Sequence, residues 1–484
     1  MSVLIWLALL LPLALAGAVG WRREESLTRW APVAASGGAL ACGLALVAGT
    51  TAGTAAPVTA GGLLRADSLS AFLLTVIGAV GVTATWGGLG EDDDPHGASY
   101  ATLVTLFLAA MSLAVLADDL GVLWVAVEFT TIATAFLVGH RRSRAAVEAA
   151  WKYVILGSVG IAIAFLGIVL LYAATRTAGR PTLSWVLLSQ GAVPGLDPDL
   201  VRAATALAVL GFATKAGLFP MHSWLPDAHG QAPAPVSGLM SGVLLAVAGY
   251  AVLRVRVIAD SVIGPQFMRW LLIVGALGSL AIAGVLVLRQ RDYKRLLAYS
   301  SIEHMGIIAL GLAVGGSLAT AAVLLHVLGH GLAKAGVFVL AGRILHRYGS
   351  TRIADVRGLL VTHPGIGRPF LAGMAALLGF PPFSLFFSEV GILLATWRAG
   401  LGWVALVAVG LILLVFVGLV QAVVAMSLGP AGEPGPGAGR APAARTGPQA
   451  PILLALAVIC IVPLVLDPEQ GPIARAVHAV AGAG

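Results

Sequence analysis

The chain has 484 residues, 59% of them hydrophobic and only 11% charged, whereas a soluble domain is about one quarter charged and at most half apolar. That composition excludes a soluble protein and describes one that crosses the membrane many times, with no sizeable soluble domain left over. The formal charge of +7 does not imply nucleic-acid binding, because in a membrane protein the positions of Lys and Arg matter more than their sum.

A spanning helix takes about 20 apolar residues, and in lipid each apolar run must satisfy its own backbone groups, so each is a helix. Met1 to Val19 is apolar but has no basic stretch ahead of its apolar core, as a secretory signal would, and is taken as the first span. In chain order the runs fall at about 2–20, 31–50, 66–88, 100–117, 119–139, 146–174, 200–220, 232–253, 266–288, 298–314, 317–345, 369–397, 402–428 and 451–466, which makes fourteen. The fourth and fifth are divided only by Asp118 and Asp119. Residues 429–450, rich in Gly, Pro and Ala, are expected to be a flexible linker before an isolated last helix.

Numbering the connections from the first, the odd ones carry 18 of the 29 Lys and Arg residues, and the even ones with the C-terminal tail carry 9. The positive-inside rule then makes the odd side cytoplasmic and leaves both termini outside, as an even number of crossings requires. The acidic loop Glu91-Asp92-Asp93-Asp94 falls on the cytoplasmic side, but acidic residues weigh little in this rule.

Two cysteines, Cys42 and Cys460, cannot hold an iron–sulfur cluster alone, since a cluster takes four thiolates. The chain also carries neither a P-loop nor a strand-flanked dinucleotide fingerprint, which argues against ATP-driven transport or nicotinamide chemistry within it.

Of the four lysines, Lys215 and Lys334 lie inside apolar runs, as do Glu128 and Glu389. A charge at mid-bilayer costs about 2.5–3.5 kcal/mol even on the lenient insertion scale. Lysine, glutamate and histidine can each take and release a proton, which is what a relay needs, whereas arginine cannot and none is expected at these depths. His326, His330 and Lys334 recur every four residues and so form one stripe on a helix. The competing readings are structural: Glu128 paired with a lysine to hold the bundle, Lys334 snorkelling, or the two histidines binding zinc. Zinc is set aside because no third ligand stands at matching spacing. Glu128 and Lys215 are expected to pair, directly or through one water.

Two spans are expected to be broken: the one in which Lys215 is followed by Pro220, His222, Pro226, Asp227, His229, Pro233 and Pro235, and the one with Pro381-Pro382 ahead of Glu389. Proline removes a helix hydrogen bond, and discontinuous helices are a recurrent setting for ion sites.

The string from Lys215 through Pro220-Met-His222-Ser-Trp-Leu-Pro-Asp227-Ala-His229, with Tyr299-Ser-Ser-Ile-Glu303-His304-Met-Gly306 and the His326/His330/Lys334 stripe, resembles the antiporter-like membrane subunits of complex I, group 4 membrane-bound hydrogenases and multisubunit cation/proton antiporters, most closely hydrogenase-4 component F. The likeness covers about 100–430. It implies an all-α polytopic protein with two inverted five-helix repeats, 100–254 (helices 4–8) and 255–428 (helices 9–13). These follow three helices in 1–99 and precede the 429–450 linker and a C-terminal helix in 451–484.

The resemblance also implies a proton relay through Glu128, Lys215, His222, Asp227, His229, His326, His330, Lys334 and Glu389, with Glu303 and His304 serving uptake or coupling. It implies no cofactor and no resident metal in this chain. Iron–sulfur and nickel–iron centres would sit on partner subunits, and the neighbours would be other membrane subunits and a peripheral redox arm in a bacterial cytoplasmic membrane, with protons or sodium as the ion moved. The alternative it leaves open is a cation/proton antiporter subunit without a redox partner; a decayed structural spacer is the third. One departure stands out: Ala246 occupies the eighth-helix position where many complex I relatives have lysine.

Overall fold

The computed structural model describes residues 1–90, 97–428, 447–465 and 471–481; the Glu91–Asp94 loop, Gly484 and most of the 429–450 linker lie outside the described residues. The chain crosses first as α1 (Ser2–Arg22) and α2 (Glu25–Thr51). A two-residue hairpin follows, β1 (Val58–Thr59) antiparallel to β2 (Leu64–Arg65). Next come α3 (Ser68–Gly87), α4 (Gly97–Leu116), α5 (Leu120–Val138) and the long α6 (Arg144–Thr177). The pair that divides the fourth span from the fifth marks a true boundary: Asp119 Oδ1 caps α5 by accepting from the N–H groups of Gly121 and Val122.

After the short α7 (Trp185–Ser189), the seventh crossing is broken into α8 (Pro198–Lys215) and α9 (Trp224–Gln231). The eighth starts as α10 (Ala234–Leu239), passes through one π-helical turn at Met240–Leu244 and continues as α11 (Leu245–Ile263). α12 (Pro265–Val287), α13 (Tyr293–Val314) and α14 (Gly316–Tyr348) follow, then the four-residue α15 (Leu359–Thr362). The twelfth crossing is also broken, into α16 (Pro364–Leu377) and α17 (Ser384–Arg398), ahead of α18 (Gly402–Ser427), α19 (Ala450–Val465) and α20 (Pro472–Ala481). Among the described residues, eleven helices are long and apolar enough to cross a membrane unaided. The two broken pairs and the shorter α19 bring the crossings to fourteen, as the sequence indicates.

Three expectations need correction. The eighth span does not stop at 253 but runs to Ile263, so Arg254 and Arg256, assigned above to a connection, lie within α11 and are buried. Arg254 is tolerated because it pairs with Asp67. The last helix is not isolated, since α19 packs on α3, α14 and α17. Residues 451–484 also hold a second helix, α20, whose Arg475 donates to the Thr50 carbonyl at 2.8 Å.

The bundle has two distinguishable ends. At one, Trp6 of α1 donates to Thr59 of the hairpin and Arg475 of α20 to the Thr50 carbonyl near the end of α2, and Arg65 pairs with Asp118 at 3.0 Å. At the other, Asp227 holds both Lys152 and Arg295. Between the ends, α13 and the α10–α11 crossing are buried all round. The innermost helices are therefore those whose polar residues can face only protein.

Close packing in lipid comes from small residues rather than from apolar attraction. α6 and α8 illustrate it: a Cβ on Gly211 would stand 2.4 Å from the Ala164 nitrogen and from the Gly160 carbonyl oxygen, so only glycine lets the two backbones touch there. That contact sets the height of Lys215, one helical turn further on.

Candidate functional site: a buried file of ionisable groups

Lys215 ends α8, where the helix offers its unpaired carbonyls to a cation. The chain then leaves the helix, with Gly217 at φ 71° in the left-handed region that favours glycine. Trp224, at the start of α9, returns its indole N–H to the Thr214 carbonyl at 2.9 Å and so satisfies one of the groups the break frees. Lys215 is fully buried. Its Nζ donates to the Tyr153 hydroxyl at 2.8 Å and lies 4.4 Å from that ring's centroid. Tyr153 and Thr134 hydroxyls are 2.6 Å apart. Because an ammonium only donates, Tyr153 accepts from Lys215 and passes its own proton to Thr134, which donates in turn to the Thr130 carbonyl.

The expected pairing of Lys215 with Glu128 is not made directly. Among the described residues the two form no ion pair; Glu128, half-buried on α5, accepts instead from Thr131 at 3.1 Å and Ser158 at 3.4 Å. The two charges remain in electrostatic range of each other. Gly157 keeps the space between them open, since a Cβ there would stand 3.3 Å from Thr131 Cγ2 and 3.4 Å from Lys215 Nζ.

The three ionisable residues beyond the break go to different places. Asp227 is tied at the bundle end by Lys152 Nζ at 3.4 Å and Arg295 Nη2 at 3.1 Å, so the structure does not bring it into the buried file. His222 is half-buried and stacks on Phe219. His229 is fully buried between Trp224 and Phe338, 5.4 Å from the latter's ring centroid. Neither ring nitrogen of His229 has a hydrogen-bond partner among the described residues. It lies in electrostatic range of Lys294, Lys334 and His330.

The second half is centred on the α13–α14 contact. The stripe expected on α14 exists, and His326, His330 and Lys334 are all buried. Lys334 Nζ donates to the Leu297 carbonyl at 2.8 Å and to Ser300 Oγ at 2.7 Å, both on α13. His304, also on α13, sits against both stripe histidines, its ring centroid 5.2 Å from that of His326 and 4.8 Å from that of His330. Its Nδ1 is 3.1 Å from His326 Nε2, and His326 Nδ1 is 2.9 Å from Ser388 Oγ on α17. Glu303 is buried, with Oε2 unpartnered among the described residues, in electrostatic range of Lys334 and Glu389. Glu389 is half-buried beside the α16–α17 break. Glu303 and His304, expected to serve uptake or coupling, thus occupy the centre of this half.

The sequence reading missed the hydroxyls that accept from or orient the ionisable groups: Tyr153, Thr134, Ser300 and Ser388. A hydroxyl in a spanning helix can always bond its own i−4 carbonyl, so its presence carries no signal of a partner. Only Tyr153, a polar tip within an apolar run, offered a cue.

Fourteen crossings, two of them broken, and a buried file of titratable groups running between the breaks define a membrane subunit of the antiporter-like class. Residues 117–415 match the family described as NADH:quinone oxidoreductase/Mrp antiporter, transmembrane, and the chain belongs to that family. It is 39% identical over 329 residues to a hydrogenase-4 component F homolog of Methylacidiphilum infernorum, covering 67% of this chain and 68% of that protein. It is 34% identical over 349 residues to NADH-quinone oxidoreductase subunit N of Desulforudis audaxviator, covering 70% of this chain and 67% of that one. In three dimensions it is similar to a chain of the membrane-bound sulfane sulfur reductase, an archaeal respiratory membrane complex, with TM-score 0.88 at 26% identity over 98% of this chain and 97% of that one.

Proposed function

We propose that the chain is the proton-translocating subunit of a membrane-bound oxidoreductase of the hydrogenase-4, formate hydrogenlyase or complex I kind. Other membrane subunits lie beside it, and a peripheral arm carries the iron–sulfur and nickel–iron centres. The observation that carries the reading is the set of titratable side chains from Lys215 to Glu389 inside the bundle, held by hydroxyls and carbonyls rather than locked into ion pairs. In this reading Glu128 biases Lys215 across the Gly157 gap, and Lys215 hands its proton toward His229. His229 stands in for the lysine that Ala246 lacks, because its two free nitrogens can accept on one side and donate on the other. Lys334 follows, with Glu303 and the three clustered histidines leading to Glu389. The repeats are assigned to 100–254 and 255–428, each contributing one broken helix.

Lys215→Ala tests this. Removing a positioned proton carrier generally costs 10²–10⁴ in rate, so redox-driven acidification of vesicles should fall by at least about tenfold while the complex still assembles. Undiminished pumping would remove Lys215 from the path. A pull-down decides the redox part: a co-purifying nickel–iron or iron–sulfur subunit is expected, and recovery of antiporter-like subunits alone would leave the cation/proton antiporter reading.

The membrane is taken to be the bacterial cytoplasmic membrane, with the Asp227 end inside and both termini outside. With Arg254 and Arg256 placed inside α11, the basic residues still divide 18 to 7, which supports that orientation, and the Trp6–Thr59 and Arg475–Thr50 bonds put α1 and α20 at the same end of the bundle. An impermeant thiol reagent applied to intact cells should label a cysteine placed at Gly484 and spare one placed at Ser143. Labelling of the Ser143 position would reverse the orientation.

A further inference from the structure

The zinc reading of the α14 histidines fails along the helix but is restored across helices. The His326 and His330 rings are stacked with centroids 6.3 Å apart, and nothing at helical spacing completes a site. His326 instead faces His304 of α13 and Glu389 of α17, and one ligand atom from each of these three residues lies within 4.8 Å of the other two. We propose that His304, His326 and Glu389 form a binding site for a late-transition divalent cation, zinc above all. Occupation of the site would block the second half of the relay; the blocking rests on the relay reading, while the binding does not.

The geometry is close to what zinc asks for. Two donors on a tetrahedral ion at 2.0–2.1 Å stand roughly 3.3 Å apart, and His304 Nδ1 and His326 Nε2 are 3.1 Å apart. The second shell is in place as well. Ser388 donates its hydroxyl proton to the Leu385 carbonyl, so at 2.9 Å from His326 Nδ1 it accepts from that N–H. This fixes the tautomer that leaves His326 Nε2 with a free lone pair, as an outer-shell partner does for a metal-bound imidazole. His304 Nε2 has no partner among the described residues, so the ring's single proton can move there when Nδ1 turns its lone pair to the metal.

Glu389 is half-buried, whereas the two histidines are fully buried. A Cβ on Gly379, in the adjoining helix break, would stand 2.7 Å from Glu389 Oε2, so the absence of a side chain there leaves the carboxylate room to reorient. Glu303, in electrostatic range of Glu389 and with Oε2 unpartnered, places a second carboxyl group beside the site. Two imidazoles with one carboxylate select zinc, cobalt, nickel or copper over magnesium or calcium. A metal held there would occupy Nδ1, Nε2 and the carboxylate together, so none of them could carry a proton.

The test uses the full chain carrying a histidine-free affinity tag. Titration with cobalt should give one equivalent bound, with the intense visible bands of a four-coordinate site, and zinc should displace it. His326→Gln and Glu389→Gln should each weaken binding by about tenfold or more, whereas His330→Gln should leave it within about twofold, all at unchanged elution on size exclusion. Absence of stoichiometric binding, binding indifferent to His326→Gln, or equal loss in His330→Gln overturns the site. In the assembled complex, one equivalent of zinc should stop proton movement. Zinc bound without inhibition of a pumping complex overturns the blocking, whereas a complex that fails to pump before zinc is added speaks against the relay and leaves the site standing.

Discussion

Lys334→Arg is expected to abolish proton movement as fully as Lys334→Ala, although arginine keeps the charge. Lys334 is fully buried, and its ammonium donates to the Leu297 carbonyl and to Ser300 Oγ. A guanidinium has donors enough for both acceptors and the same sign, so a purely structural lysine would be replaced at modest cost. What arginine cannot do is give up a proton at any accessible pH. The measurement is redox-driven acidification of vesicles, normalised to assembled complex, with loss of about tenfold or more in both variants. Pumping at the normal rate by the Arg variant would leave Lys334 a structural role only and move the relay to His326 and His330. Poor assembly of the Arg variant would be traced to its larger head in a closed site, and Lys334→Gln, smaller and uncharged, then carries the same comparison.

What the sequence made legible was whatever depends on position along one helix. The His326, His330 and Lys334 stripe follows from spacing of four, and the two broken crossings follow from prolines beside ionisable residues. The Asp118-Asp119 pair marks a helix start because a short carboxylate accepts from the free N–H groups there. What it concealed depends on the rotation of one helix against another. Lys215 and Glu128 carry opposite charges at suitable depths, yet Tyr153 of α6 stands where Lys215 points and takes the direct contact. Glu303 and His304 read as a neighbouring pair in a motif, but adjacent residues on a helix face about 100° apart. One therefore reaches the electrostatic range of Lys334 and Glu389, the other the histidine cluster. The third zinc ligand was invisible for the same reason, since Glu389 is 63 positions from His326 along the chain and meets it only through the fold.

Asp67→Asn is expected to destabilise the protein by about 3–5 kcal/mol, the usual consequence of leaving one member of a buried ion pair alone. Nothing in the sequence joins Asp67 to Arg254, 187 residues away, yet Arg254 Nη2 is 2.6 Å from Asp67 Oδ2 with side-chain exposures of 2% and 12%. The guanidinium is sandwiched as well, its Cζ 3.5 Å from the Trp185 ring centroid and 4.8 Å from that of Tyr250. Asp67 Oδ1 caps α3 through the Ser70 N–H at 2.7 Å, and asparagine caps as well as aspartate, so the substitution removes the charge and spares the helix start. The pair thereby joins α3 to α11 beside α7, and neither residue belongs to the proposed proton file. Thermal unfolding in detergent should show the loss, while proton movement per assembled complex stays near normal, the reverse of Lys334→Arg. Arg254→Met added to Asp67→Asn should restore most of the stability, because an uncharged pair of similar volume leaves no buried charge unpaired. If the double variant unfolds as early as the single one, the contribution comes from the guanidinium stacked between Trp185 and Tyr250 and not from its pairing with Asp67.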